Sequence, residues 1–435
     1  MRNIHRIIKA VQHRVLSAAV LAAMLAGSAP VTLGRGNDDG DYVKLASQGF
    51  FFVNGRYFTD PGAELTGPGA TGTGGERMVG QMYVEYQIPK DVKHPYPLVM
   101  IHGGSQTGVN FKGTPDGREG WGTYFLRRGY AVYVVDQVGR GRSPAYNPLP
   151  PGAEVYETPF IRPANVLTRL QNWTRSQDYD LWPNARLHTQ WPGTGVPGDP
   201  AFDQFFASQI QSRLDPLGTA TQTDAQQAGA ALLDRIGPAI VVTHSQSGVF
   251  GLLMADARPN LVKGVVTIEG GGTPYGYPLV GPLLGPATFG TSFPTRSAIW
   301  GIVSIPITYA PAVTDPSQLV FVQDAAPDPN NPNSAITQVR CWLQANPARQ
   351  LPNLQKTVHL LITAEASSAA NTNYCVSKYL TQGGVKNTWI NLGRDAGIHG
   401  NGHMMMWEKN NLEIAAFLAH WLEDNVETGG ERKEQ

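Results

Sequence analysis

The 435-residue chain predicts an α/β protein, a mainly parallel β-sheet with helices on both faces and two long insertions. Three observations carry this. Short, continuous apolar runs at 96–101, 130–135, 239–243, 264–268, 358–363 and 388–392 read as strands buried on both faces. Helix-compatible stretches separate them, at 121–128 and 249–254, and the last helix at 411–423 repeats Leu412, Ala415, Ala416, Ala419 and Leu422 at helical spacing. Finally, a serine-bearing turn sits between one such strand and the helix after it.

Composition agrees. Apolar residues make up 41% and charged residues 16%, the balance of a chain that buries a large core rather than one that stays disordered. The Gly 49 and Pro 33 counts point to turn-rich loops. Lys plus Arg and Asp plus Glu both total 34, and no basic stripe alternates with aromatics, so a nucleic-acid partner is disfavoured.

Taken in order, residues 1–29 have the layout of a secretory signal peptide. Arg2, Arg6, Lys9 and Arg14 precede an apolar run at 15–26, then Gly27, Ser28 and Ala29. That run is short of the roughly 20 residues a spanning helix needs, so secretion or a periplasmic location is expected, without stable membrane insertion. An uncleaved N-terminal anchor is the alternative. Residues 31–46 read as a flexible segment, 49–57 and 78–88 as β-rich, and 62–75 as a Gly/Pro/Thr loop. One catalytic domain is expected over 47–425, with a disordered tail at 426–435. Two Gly/Pro-rich stretches, near 143–222 and 270–353, interrupt the alternation after strand ends, where an open α/β sheet places its ligand crevice. They read as cap insertions, with surface elaboration or a dimer contact as the plain alternative. Helical pieces are expected at 161–175 and 202–213. The aromatic residues of the first stretch, Trp173, Trp182, Trp191, Phe202, Phe205 and Phe206, would either accept an apolar group or form the insertion's own core. Cys341 and Cys375 can pair in an oxidising compartment, and no His or Cys cluster has metal-ligand spacing.

The chemistry centres on Thr243-His244-Ser245-Gln246-Ser247-Gly248. A nucleophile on a sharp strand-to-helix turn needs small residues two places before and after it. Here those places hold Thr243 and Ser247, with Gly248 one position late. His102-Gly103-Gly104-Ser105 ends an apolar strand, where a glycine N–H can face a developing oxyanion. Gly104 and Gln246 are therefore the candidate backbone donors. Asp136-Gln137-Val138-Gly139-Arg140-Gly141-Arg142-Ser143 lacks phosphate-loop spacing and reads as a structural turn.

Among ten histidines, His403 is the preferred general base, followed by Met404-Met405-Met406 as a soft apolar pocket wall. His399 reads as a loop residue, and His102 and His244 as supports of the two turns, with His244 facing away from Ser245. Two carboxylates end strands. Glu269 precedes Gly270-Gly271-Gly272 and is the favoured acid; Glu365 is the alternative. Both give the chain order Ser, acid, His.

These residues make the chain resemble the α/β-hydrolase superfamily, and within it a small group of secreted bacterial serine esterases. The resembling strings are Thr114-Pro115-Asp116-Gly117-Arg118, Asp136-Gln137 with Gly139-Arg140-Gly141-Arg142-Ser143, His244-Ser245-Gln246-Ser247-Gly248, and His399-Gly400-Asn401 with His403-Met404-Met405-Met406. The resemblance implies Glu269 as the acid, after strand six, His403 as the base, and a homodimer. It departs at Gly104-Ser105, where the best-known member of that group carries adjacent cysteines. The expectation is a cofactor-free, metal-free esterase acting on a small-molecule ester. Lactone opening, amide cleavage, acyl transfer or ligand binding without catalysis are the alternatives.

Overall fold

Eight strands form the central sheet of the computed structural model, which describes residues 42–59, 76–144, 160–161, 165–213, 215, 218–276, 296–324 and 339–427. They are β1 (Leu45–Val53), β2 (Met82–Pro89), β3 (Leu98–Ile101), β4 (Val132–Asp136), β5 (Ala239–His244), β6 (Val262–Ile268), β7 (Val358–Thr363) and β8 (Asn387–Asn391). Their spatial order is β1-β2-β4-β3-β5-β6-β7-β8. Only β2 runs against the others. The central strands β3 and β5 are buried at every position, as the continuous apolar runs require. Edge strand β1 alternates instead: Phe51 packs against the core, while Phe50 and Phe52 face outward.

Helices α1 (Trp121–Arg127), α2 (Pro200–Ala207), α3 (Thr219–Ile236), α4 (Gly248–Ala257), α5 (Tyr374–Gln382) and α6 (Asn411–Leu422) account for most of the helical surface among the described residues. Helices α3 and α4 share one core with Val241 and Val265, and α1 and α6 share the other with Ile240 and Val266. The two cores lie on opposite faces of the sheet, because successive residues of β5 and β6 point to opposite sides.

Several boundaries differ from the expectations. The stretches at 49–57 and 78–88 each split in two, because Asn54 (φ 62) and Gly80 (φ 74) take left-handed backbone and are joined by an Asn54 Nδ2–H to Gly80 O bond of 3.0 Å. The pieces Arg56–Thr59 and Glu76–Val79 then form a separate hairpin. The expected loop at 62–75 and the signal segment at 1–29 lie outside the described residues. The expected helix at 161–175 begins only at Val166, since Phe160–Ile161 pairs as a short strand with Ser212–Arg213. The second piece starts early because Asp199 caps it and Pro200 opens it, and it ends at Ala207, before the strand at Ser212–Arg213. Helix α3 cuts the first insertion back from 222 to Gly218. Its small-residue composition gave little periodic signal. The described structure also continues past the expected end at 425. Val426 is buried, and Glu427 accepts from Tyr130 Oη at 2.7 Å. Residues 428–435 lie outside the described set.

The described parts of both insertions pack onto the domain. Trp173, Trp191, Phe202 and Phe205 join the core of α1 and α6, and Trp182 is buried with its indole N–H bonded to Ala366 O at 2.8 Å. In the second insertion Trp300, Ile302, Val303, Ile305, Ile307 and Tyr309 pack with α3 and α4. Cys341 and Cys375 form a disulfide, tying this insertion to the first turn of α5.

Candidate active site

Strand β5 delivers Ser245 at its C-terminal end, and the turn there is strained. Ser245 has φ 56, a left-handed conformation that costs a non-glycine residue about 1–3 kcal/mol and lifts its side chain off the sheet. The departures at Thr243 and Ser247 have a local explanation. The Thr243 hydroxyl bonds Val266 O at 3.2 Å, and the Ser247 hydroxyl reaches Ile101 O at 2.8 Å. These two small polar side chains stitch β5 to its neighbours β6 and β3. The glycine falls at 248 because that is where backbone approaches: a methyl there would lie 2.5 Å from Gly271 N and 2.7 Å from Gly270 Cα.

Glu269 ends β6 and is also left-handed, at φ 56. Its neighbour Gly270 packs directly on the Ser245 carbonyl, which brings acid and serine turns together. From the loop between β8 and α6, His403 completes a hydrogen-bonded chain. Ser245 Oγ lies 2.9 Å from His403 Nε2, and His403 Nδ1 lies 3.1 Å from Glu269 Oε2. With Nδ1–H donating to the carboxylate, Nε2 is free to accept from the serine hydroxyl. Glu269 also accepts from Ala364 N–H at 2.5 Å and from the Ser367 hydroxyl.

Glu269 is buried and the His403 side chain is only 15% exposed, and loss of solvent acts on each against its charged form. It pushes Glu269 up to about 8, although the Ser367 and Ala364 hydrogen bonds pull the other way. It takes His403 down to about 4, with the Arg169 guanidinium acting in the same direction. Each charge is therefore disfavoured alone. An imidazolium and a carboxylate formed together 3.1 Å apart offset one another, as an acid that stabilises a transient imidazolium must do.

The His102–Ser105 loop closes over this point. A methyl on Gly103 would sit 2.9 Å from Ser245 Cβ, and one on Gly104 would sit 3.5 Å from Gln246 Oε1. Gly104 thus lies against the Gln246 side chain, and Gly103 against Ser245. A cleft of about 450 Å³ opens here, lined among others by Ser245, Glu269, His403, Val249, Ile302 and Asn373.

A probable secreted lipase of Fungal sp. (strain ATCC 74256) is 42% identical to the chain over 368 residues, covering 84% of this chain and 91% of the relative. The chain belongs to the α/β-hydrolase family of esterases and lipases. A bacterial esterase of known structure superposes with a TM-score of 0.60 at 23% identity, covering 88% of this chain and 98% of that one, and so shares the fold. No family model matches the chain.

Within this α/β-hydrolase the other sequence candidates sort by distance. Glu365 does not meet His403. It accepts from His399 Nδ1 at 2.9 Å and from Gly400 N–H at 2.8 Å, bracing the loop that carries the imidazole. His244 does not point away as expected: its ring lies 4.9 Å from that of His403, and its Nε2–H donates to His403 O at 2.9 Å. Strand alternation stops at His244, because Ser245 has left the strand for a left-handed turn. Met404, Met405 and Met406 are fully buried in the core of α1 and α6 and line no part of the cleft.

Four contributors take roles that the sequence does not assign them. Ser367 steadies Glu269, and Trp173 stacks on His403 with ring centroids 5.5 Å apart. Buried Glu408 accepts from Gly402 N–H at 2.9 Å and from His188 Nε2 at 2.9 Å, so the first insertion clamps the histidine loop. Of these, Ser367 carried a usable signal, a hydroxyl just after a strand end that also bears a carboxylate.

Proposed function

We propose that the chain is a secreted serine esterase that works through an acyl-enzyme. Ser245 attacks the ester carbonyl as His403 takes its proton, and Glu269 orients the imidazole and stabilises the imidazolium. The Gly104 and Gln246 N–H groups stabilise the tetrahedral oxyanion. His403 then protonates the leaving alkoxide and activates the water that releases the acid. The observation that carries this reading is the continuous chain from Ser245 Oγ through His403 to Glu269, at 2.9 and 3.1 Å. The basic, apolar and small-residue order of 1–29 and the likeness to a secreted relative support export.

Among the described residues lining the cleft, only Val249 and Ile302 are large aliphatics, and glycines, serines and threonines line much of the rest. Such walls suit compact acyl groups better than long alkyl chains, whose burial needs continuous apolar surface. The test is a p-nitrophenyl ester series of increasing acyl length, with Ser245→Ala alongside and mass analysis after a serine-directed phosphonate. Highest kcat/KM at short acyl length, an adduct on Ser245 and a loss of about 10⁶-fold in the variant are expected. An active Ser245→Ala enzyme overturns the mechanism, and a preference for long chains overturns the acyl assignment.

A further inference from the structure

The Gly139-Arg140-Gly141-Arg142 motif has no part in the mechanism above, yet one of its arginines reaches the oxyanion loop. We propose that Arg140 is a positioning residue for the Gly104 oxyanion donor, aiming its N–H at the reacting carbonyl by holding the Gly103 carbonyl from the opposite side. The proposal rests on Gly104 acting as a donor to the oxyanion.

The argument begins with the peptide plane. In a trans peptide, the C=O of one residue and the N–H of the next point in opposite directions. Whatever fixes Gly103 O therefore fixes where Gly104 N–H points. Two donors hold that oxygen: Arg140 Nη1–H at 3.1 Å and His102 Nδ1–H at 2.8 Å. The tautomer of His102 is set from the same turn, because Gln137 N–H donates to His102 Nε2 at 3.0 Å and leaves the proton on Nδ1. The turn after β4 thus supplies one hold on Gly103 O directly and fixes the tautomer of the other.

That turn is itself anchored. Asp136 accepts from Arg142 N–H at 2.9 Å and from Gly108 N–H at 2.7 Å, while the Ser143 hydroxyl bonds Asp136 O at 2.6 Å. The two arginines consequently have different tasks. Arg142 pairs with Asp136 and Glu85 and secures the turn. Arg140 is only 3% exposed, and among the described residues no carboxylate pairs with it. A buried guanidinium without a counter-ion is costly, and packing alone gives no reason to retain one. Desolvation lowers its pKa only to about 10, so it stays charged at neutral pH. The charge also polarises the Gly103–Gly104 peptide, making the Gly104 N–H a stronger donor as negative charge develops.

The experiment compares wild type with Arg140→Met, Arg140→Gln and Arg140→Lys, using a short-chain p-nitrophenyl ester and a trifluoromethyl ketone that forms a tetrahedral oxyanion adduct. Met cannot donate, and Gln is too short to span the distance Arg140 covers. In these two variants kcat should fall on the order of 10²-fold with KM little changed, and ketone affinity should fall in parallel. Lysine replaces the planar fork with a single ammonium, so about tenfold losses in both quantities are expected. A merely structural residue would lower the thermal midpoint without this parallel. A folded neutral variant with wild-type kcat, or one whose kcat falls while ketone affinity holds, overturns the proposal. If neither neutral variant folds, Arg140→Lys decides: wild-type values of both quantities refute it. Ser245→Ala separates the two failures, since an active Ser245→Ala enzyme would refute the serine mechanism, whereas an inactive one beside an unaffected Arg140→Met would refute only the role given to Arg140.

Discussion

Replacing Gly248 by alanine tests how closely the serine turn and the acid turn are joined. In a helix this change is normally favourable, by roughly 0.5–1 kcal/mol, because glycine loses more chain entropy. Here the new methyl would lie 2.5 Å from Gly271 N and 2.7 Å from Gly270 Cα, where ordinary contact begins near 3.4 Å. The two backbones must part by 0.7 Å (3.4 less 2.7) to 0.9 Å (3.4 less 2.5). Both obstacles are main chain and cannot rotate away, so overpacking of about 1–3 kcal/mol outweighs the helix gain. Ser245 and Glu269 flank the wedge, and the 2.9 Å Ser245–His403 bond does not survive displacement on that scale. The expected outcome is a fall in kcat on the order of 10²-fold and a lower urea midpoint. Gly237→Ala serves as the control. That glycine has φ 85 and nothing within 4 Å, so strain lowers stability there while kcat holds. A folded Gly248→Ala enzyme with wild-type kcat would refute the reasoning.

Glu269→Gln should lower kcat by roughly 10⁴-fold at neutral pH, whereas Glu365→Gln should leave it near the wild-type value; steady-state kinetics on both variants decides between the two carboxylates. Cys341→Ser opens a cross-link with a sequence separation of 34, which corresponds to a loss of about 3–4 kcal/mol in urea unfolding of the oxidised protein. Stability should decline in acid. Burial holds His359 down at about 4, so its stabilising contribution is complete above the unfolded value near 6.5 and disappears as pH falls through about 4. That gap corresponds to about 3 kcal/mol, and His359→Leu should show a correspondingly shallower decline in urea midpoint between pH 7 and pH 4.

The resemblance and the residue pattern placed Ser245, His403 and Glu269 for identifiable reasons. Each sits where a strand ends or a loop returns to a helix, and each is marked by neighbouring glycines that allow backbone to approach. The Thr243 and Ser247 departures have no explanation in the sequence, because there the glycine at 248 has no visible partner. That partner, the Gly270–Gly271 backbone, is more than twenty residues further along the chain. The aromatic residues of the first insertion left two readings open, since a buried ring and a ring lining a cleft look alike in sequence. Met404–Met406 are ambiguous for the same reason: soft apolar side chains next to a candidate histidine suit a core as well as a pocket.

Periodicity and composition, which depend on neighbours along the chain, determined the mainly parallel sheet, the strand-end positions of the candidate residues and the order Ser, acid, His. Contacts between distant segments decided the rest. Glu269 rather than Glu365 meets His403 because β6 and β7 bring their carboxylates to different sides of the histidine loop. His244 turns toward His403 because Ser245 leaves the strand. Arg140 reaches Gly103 because β3 and β4 are neighbours in the sheet. A hydrogen bond or close contact between residues dozens of positions apart leaves no periodic trace in either segment, and only the folded chain brings the two together.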